Sequence, residues 1–321
     1  MKSIDKLYKI IEESLSIINY PKNPSNLYLP ISYSFNLGGK RVRPILVLLA
    51  NQIYGKNFKH ALNAAIAIEI FHNFTLLHDD IMDNSVIRRG SPTVHEKWNI
   101  NTAILSGDTM LVYAYNYLNL LPKDIINDIL NIFNKTAIQV CEGQQLDLDF
   151  ETKKNVSVDD YLKMIEYKTS VLLAASLKIG ALIGGANKKD AENLYGFGIN
   201  LGIAFQLKDD FLDAFGTKEI FGKKIGGDII SNKKTFLFLK SLELLNIKEK
   251  NILLDLFTNN TIDENEKIKQ VKNIYELSGV KEILDNLIKE YYKYSLHYLS
   301  KINEDVGPIQ NFVSMLEKRN N

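Results

Sequence analysis

The sequence predicts an all-α fold in one large domain, residues 1–321. Three observations carry this. Apolar residues recur at spacings of three and four along nearly the whole chain, and the short β-branched runs all sit inside such periods. No low-complexity or Pro/Gly-rich linker divides the chain. Two aspartate clusters of identical spacing, Asp79-Asp80-Ile81-Met82-Asp83 and Asp209-Asp210-Phe211-Leu212-Asp213, end apolar helical runs 130 positions apart. If both serve one site, the two halves belong to one domain.

The first amphipathic helix follows from Leu7, Ile10, Ile11, Leu15 and Ile18, and Pro21 and Pro24 stop it. Leu27 to Asn36, with Pro30, reads as a short helix or turn. Gly38-Gly39-Lys40-Arg41-Val42-Arg43-Pro44 opens a helix to Tyr54, Pro44 suiting a first turn whose N–H groups have no partner in the helix. Glycines, cations and a helix N-terminus together suit an anionic ligand. From Lys59 an alanine-rich apolar run reaches the first aspartate cluster, and Trp98 to Leu120 reads as one helix in which Ser106-Gly107-Asp108 admits a close neighbour. After Pro122 a helix is expected from Asp124 to Phe150, its later part, Gln139 to Asp149, polar enough to need buried partners. Ser157-Val158-Asp159-Asp160 caps the next helix, which carries Tyr167-Lys168-Thr169-Ser170. The helix after Asp190 bears the second cluster, and a loop rich in glycine and lysine, Phe221 to Thr235, follows it. Phe236–Leu245, Glu249–Phe257, Glu264–Ser278 and Lys281–Leu299 are amphipathic helices, with a short one ending near Lys318.

Composition bounds the function. With 45% apolar and 24% charged residues the chain is ordinary for a globular protein, and a net charge of +1 offers no electrostatic case for nucleic acid or an anionic membrane. Phosphate recognition must therefore be local. Cys141 is the only cysteine, which excludes an internal disulfide and a Cys-rich zinc site, and its neighbours suggest an inert packed position. The N-terminus intersperses charges and lacks a signal-peptide core. No window of about 18 apolar residues is found, so the expectation is a cytoplasmic protein that is not an integral membrane protein.

Asp79 and Asp83 lie one helical turn apart on a common face, with Asp80 about 100° round, so three carboxylates can address shared divalent cations. Such charge opposes the helix dipole and calls for compensation. Magnesium would supply it, and Arg88 and Arg89 just beyond could hold the phosphates that magnesium bridges. An isolated DDxxD is weak evidence; the second copy makes it half of a cage for one diphosphate.

With GGKxxRP, DDxxD…RRG, GQxxD, KT, FQ…DDxxD and GKxxGGD…K occurring in order from Gly38 to Thr235, the chain resembles the trans-isoprenyl diphosphate synthases of the polyprenyl synthetase family. The resemblance implies the isoprenoid synthase fold, a helical bundle around a central cavity. It also implies a homodimer, and three magnesium ions per site with manganese as a substitute. The implied reaction condenses isopentenyl diphosphate head-to-tail with an allylic diphosphate through a carbocation.

Carried over residue by residue, the resemblance assigns Asp79, Asp83 and Asp209 as metal ligands, with Asp80, Asp210 and Asp213 ligating or holding metal-bound water. Arg88, Lys168, Lys233 and a lysine of the glycine loop match allylic-diphosphate contacts; Lys223 and Lys224 both satisfy that pattern, and Lys223 is taken. Lys40, Arg43, His72 and Arg89 match contacts to isopentenyl diphosphate, where cations must act without a metal. Thr169, Gln206 and the Lys168 carbonyl match the catalytic groups around the carbocation, and Asp228 and Lys233 a closing loop that excludes water.

In this family side chains below the first aspartate cluster set product length. Phe74, five before Asp79, is a lone aromatic followed by Thr75, similar to short-chain geranylgeranyl types, with Phe71 as a second floor. Both phenylalanines could equally be ordinary core. The expected product is geranylgeranyl diphosphate; the alternatives are farnesyl diphosphate, a longer product, or a catalytically silent regulatory subunit. A terpene cyclase would lack the cationic set Lys40, Arg43 and Arg89, and a di-iron bundle needs a second copy of Glu69-x-x-His72, which the other histidines do not supply.

Overall fold

In the computed structural model, residues 2–55, 57–216, 225–259 and 261–319 are described, with 317–319 by backbone only. The helices are α1 (Ile4–Ser16), α2 (Ser25–Asn36), α3 (Val42–Tyr54), α4 (Phe58–Met82), α5 (Val94–Lys97), α6 (Ile100–Leu118), α7 (Ile126–Thr152), α8 (Val158–Ile165), α9 (Val171–Gly184) and α10 (Lys188–Phe215). A short α11 (Gly227–Ile230) precedes α12 (Phe236–Leu244), α13 (Ile247–Thr258), α14 (Glu264–Ser278), α15 (Val280–Leu299) and α16 (Gly307–Arg319). The all-α expectation holds, with one exception. Ile87–Arg88 and Ser91–Pro92, here β1 and β2, pair antiparallel with Arg88 opposite Ser91. Their turn places Arg89 (φ 53°) and Gly90 (φ 76°) in the left-handed region, as a two-residue type I′ hairpin requires. A two-residue ladder is too short to show as alternation in sequence.

Chain contacts divide the molecule into two compact units, residues 1–135, 175–194 and 304–309 in the first and 136–174, 195–303 and 310–321 in the second. In the first, α4 lies against α3 and α6, and α1 packs on both α3 and α4. Close approach rests on small residues. Gly107 of α6 faces the ring of His78, so near that a Cβ would overlap it, and Ser106 donates to the Leu27 carbonyl at 2.9 Å. Gly180 lies on the backbone of Val47, where an added Cβ would fall well inside 3.0 Å of the carbonyl oxygen. Backbone cannot rotate away, so Gly180→Ala is expected to destabilise by about 1–3 kcal/mol, read as a lower urea midpoint at constant m. In the second unit α12 packs on α15, α14 and α8, around Leu207, Leu253, Val271, Tyr275 and Leu284.

Three further expectations need correction. The helix expected from Trp98 breaks there, because Trp98 (φ −115°, ψ −90°) leaves helical geometry and the Asn99 side chain caps α6 by accepting from the Thr102 N–H. A continuous run, Val158–Gly184, is after all long and apolar enough to cross a membrane by length and composition; 72% of its most apolar window is buried in the protein, as a core helix requires. Cys141 is exposed rather than packed, yet partial burial and Glu142 raise its pKa, so the thiol is not activated.

Candidate active site

One group of candidate residues lies at the C-terminal end of α4. Asp83 is its C-cap, donating its N–H to the Asp79 carbonyl at 2.9 Å, so the cluster occupies the last turn, where free carbonyls already carry negative potential. β1 brings a cation to it. Arg88 Nε donates to both carboxylate oxygens of Asp80 at 2.7 and 2.8 Å, and its Nη2 stands 3.7 Å from Asp79. Burial raises the Asp80 carboxyl pKa and Asp79 adds to this, while Arg88 opposes it. Asp80 is thus held by Arg88.

Beside it the glycine loop before α3 meets the hairpin. Gly39 (φ +155°) supports the Arg89 guanidinium so closely that a Cβ would lie 3.0 Å from Nη2, and Arg89 Nη1 donates to the Gly38 carbonyl. Arg43 Nη1 lies 3.1 Å from His72 Nε2. An arginine can only donate, so Nε2 accepts and the imidazole carries its proton on Nδ1. Burial, with Arg43 and Arg89, holds the His72 pKa well below its usual value and keeps the ring neutral. Burial pulls Arg43 down to about 10, still charged at neutral pH, and leaves its Nε without a hydrogen-bond partner. The structure brings Arg43, His72 and Arg89 together with the loop that bears Lys40. A diphosphate would complete donors that the protein leaves open.

Arg41, between two residues assigned to that pocket, has a different role that sequence reasoning missed. It is 3% exposed, in the left-handed region (φ 46°), and bonds Glu12 at 2.7 Å, Glu69 at 2.8 Å and the Phe35 carbonyl at 2.9 Å. Glu69, 2% exposed, also accepts from Asn73 at 3.0 Å. Both bonds fall on Oε1, and Oε2 is buried with no hydrogen-bond partner.

Below the aspartates, aromatic rings follow one another: His78 to Phe74 (4.8 Å), Phe74 to Phe71 (5.6 Å), Phe71 to Phe133 (5.1 Å) and Phe133 to Tyr115 (5.3 Å). Phe71 is 1% exposed, whereas Phe74 and Thr75 are only partly buried, Thr75 bonding its own helix at the His72 carbonyl. Phe133 and Tyr115 were not anticipated, because neither lies near a motif.

A separate group of candidate residues lies in the second unit. Lys168 and Thr169 sit in a π-helical turn, Glu166–Ser170, between α8 and α9. Glycines make room for it: a Cβ on Gly143 would stand 2.7 Å from the Lys168 Cα, and one on Gly202 2.6 Å from the Ser170 Cα. Lys168 Nζ meets Asp147 at 2.6 Å, the partner that the polar stretch of α7 required. Thr169 Oγ1 donates to Gln206 Oε1 at 3.2 Å, and Gln206 Nε2 donates to Asp210 Oδ1 at 3.2 Å. Burial and then Asp228 push the Asp210 carboxyl well above the usual carboxylate range. Asp213 accepts the N–H groups of Gly227 (3.1 Å) and Asp228 (3.0 Å), seating α11, and the Lys233 N–H donates to the Asp228 carbonyl at 2.9 Å. Lys234, also unforeseen, donates to the Phe150 (2.7 Å) and Lys153 (2.6 Å) carbonyls at the end of α7. Lys223 and Lys224 lie outside the described residues.

Magnesium fits these donors by their chemistry. Among the described residues no three carboxylate, imidazole or thiolate side chains close around one point, so the expected convergence of three aspartates at one end of α4 is not formed. Asp80 turns to Arg88 instead. Hard oxygens presented from one side, with like charges crowding Asp210, suit a cation that takes its remaining ligands from phosphate and water.

The polyprenyl synthetase profile matches residues 24–277. A geranylgeranyl diphosphate synthase from Methanosarcina mazei is 42% identical over 272 residues, covering 83% of this chain and 82% of that protein. Among solved structures, a geranylgeranyl pyrophosphate synthase superposes with a TM-score of 0.92 at 45% identity, over 98% of this chain and 97% of the other. A geranylgeranyl pyrophosphate synthetase from Pyrococcus horikoshii Ot3 gives 0.90 at 33% identity, over 98% and 95%. A match of this extent through both aspartate clusters has one meaning: the chain belongs to the polyprenyl synthetase family.

Proposed function

We propose that the enzyme condenses isopentenyl diphosphate head-to-tail with allylic diphosphates and forms geranylgeranyl diphosphate as its main product. The observation that carries this is the cationic pocket of Arg43, His72 and Arg89 beside an aspartate cluster, since two diphosphates need two different modes of binding. The chain acts as one domain, residues 1–321, with both clusters serving the same allylic diphosphate; the family match running unbroken through both supports this.

Magnesium, three ions per site with manganese able to substitute, supplies positive charge to the departing diphosphate when bound, the ions held by Asp79, Asp83 and Asp209 with Asp80, Asp210 and Asp213 behind them. Arg88, Lys168, Lys223 and Lys233 hold the allylic diphosphate, and Lys40, Arg43, His72 and Arg89 hold isopentenyl diphosphate. The allylic C1–O bond breaks with its electron pair leaving on diphosphate. Thr169, Gln206 and the Lys168 carbonyl face the resulting cation with oxygen dipoles, which stabilise charge. The double bond of isopentenyl diphosphate attacks C1 to form the new C–C bond, and released pyrophosphate takes the C2 proton, so no side-chain base is needed. The loop with Asp228 and Lys233 excludes water, which would trap the cation as an alcohol.

Exposed Ile100, Ile104, Leu105 and Val112 on α6 support a homodimer. An exposed thiol as sole cysteine suits a reducing cytoplasm.

Isopentenyl diphosphate with each allylic primer and magnesium tests the reading, by sizing dephosphorylated products. A C20 main product is expected. Elongation stopping earlier or later corrects the product, and no elongation overturns the reading. Phe74→Ala opens the upper ring of the aromatic series and should shift the main product at least one isoprene unit longer. An unchanged distribution removes Phe74 as the floor.

A further inference from the structure

Tyr161 of α8 has no part in the reaction as described, and no motif includes it. It is 2% exposed, its ring is part of the core of the second unit, and its hydroxyl donates to Asp210 Oδ2. The other carboxylate oxygen, Oδ1, takes the Gln206 amide at 3.2 Å, and Gln206 Oε1 in turn takes the Thr169 hydroxyl at 3.2 Å. Each link fixes the polarity of the next. The Gln206 amide presents its nitrogen to Asp210 and its oxygen to Thr169. Thr169 has one proton, which it gives to Gln206, and its two lone pairs are what the side chain offers elsewhere. A carboxylate held by one donor can swing; held at both oxygens it cannot.

We infer that Tyr161 is a positioning residue: by clamping Asp210 it sets the orientation of Gln206 and turns the Thr169 hydroxyl so that oxygen rather than a proton faces the developing cation. The effect belongs to the ionising step, not to diphosphate affinity. The inference rests on the prenyltransferase reading and deepens it at the allylic site. Unlike the aspartates, Tyr161 works wholly through the orientation of neutral dipoles, which matter most where water is excluded.

A double-mutant cycle tests this. Tyr161→Phe keeps the ring and removes only the hydroxyl. Its turnover number should fall about tenfold with KM for isopentenyl diphosphate unchanged. In the Thr169→Val enzyme the same change should cost less than about twofold, because the relay then ends on a group with no hydroxyl to orient. Affinity for inorganic pyrophosphate with magnesium, measured by calorimetry, should stay within about twofold of wild type for Tyr161→Phe. Effects that multiply in the cycle overturn the relay, and so does a loss of pyrophosphate affinity matching the loss of turnover, which would make Tyr161 a support for the metal carboxylates. If Tyr161→Phe does not fold, Gln206→Met breaks the relay one link on, and the same cycle with Thr169→Val decides. A wild-type protein without elongation activity overturns the prenyltransferase reading itself and this inference with it; an active wild type with multiplying effects overturns the relay alone.

Discussion

Asp79→Asn is expected to lower kcat/KM for the allylic substrate by roughly a thousandfold at saturating magnesium, or about 4 kcal/mol of transition-state stabilisation. The substitution is nearly isosteric, so little of the loss can come from packing. What disappears is a full negative charge at the end of α4, where Asp79 lies in the same last turn as Asp83 and 3.7 Å from Arg88. An amide is a poor ligand for a hard cation, and Arg88 would lose an opposing charge as well. Steady-state kinetics with a circular dichroism melt on the same preparation make the check. A loss below tenfold with an unchanged melt would mean that the first cluster is not a metal site.

Removing Arg41 should produce the largest change in stability. Its side chain is fully buried and faces Glu69, of which 3% of the side chain is exposed, so Arg41→Met leaves a buried carboxylate without its ion-pair partner. Breaking a buried pair from one side costs about 3–5 kcal/mol. The remaining hydrogen-bond partner of Glu69, Asn73, supplies only a neutral donor. The double variant Arg41→Met with Glu69→Leu should recover most of the loss, because the desolvation cost goes together with the attraction. Urea unfolding of the three proteins measures this. If Arg41→Met unfolds within about 0.5 kcal/mol of wild type, as a surface substitution does, the pair is not load-sharing in solution.

The helices were legible because their causes are local. Glu264–Ser278 can be read to the residue from apolar spacing, a preceding Asp263 that caps it and a following Gly279 (φ 72°) that ends it. Ser157 and Asp160 form the capping box that their spacing announces. The break at Trp98 had its signal in Asn99, the N-cap of α6, which the apolar period on either side obscured. The grouping of Arg43, His72 and Arg89 came from motifs, since a charge pattern repeated in order is hard to explain by anything but a shared ligand.

Partners distant in sequence were not legible. Arg41 stands in a run of cations where Lys40, Arg43 and Arg41 look alike, and nothing nearby says that one of them closes on a glutamate 28 residues on. Tyr161 and Phe133 look like core in any helical period, and Cys141 looks the same although it is exposed. Spacing tells which residues share a helix face, not which face is covered by a neighbour.

The amino-acid order thus determined the helical class, the reaction and the identity of the charged groups, because helix formation and metal or phosphate chemistry depend on residue type and short spacing. Packing decided which of those charges pair with one another inside the fold. Arg88 on Asp80, Arg41 on Glu69 and Asp213 on the amides of α11 are choices among equivalent-looking groups. They are settled by burial, since a charge removed from water takes whichever partner the surrounding helices bring within hydrogen-bond reach.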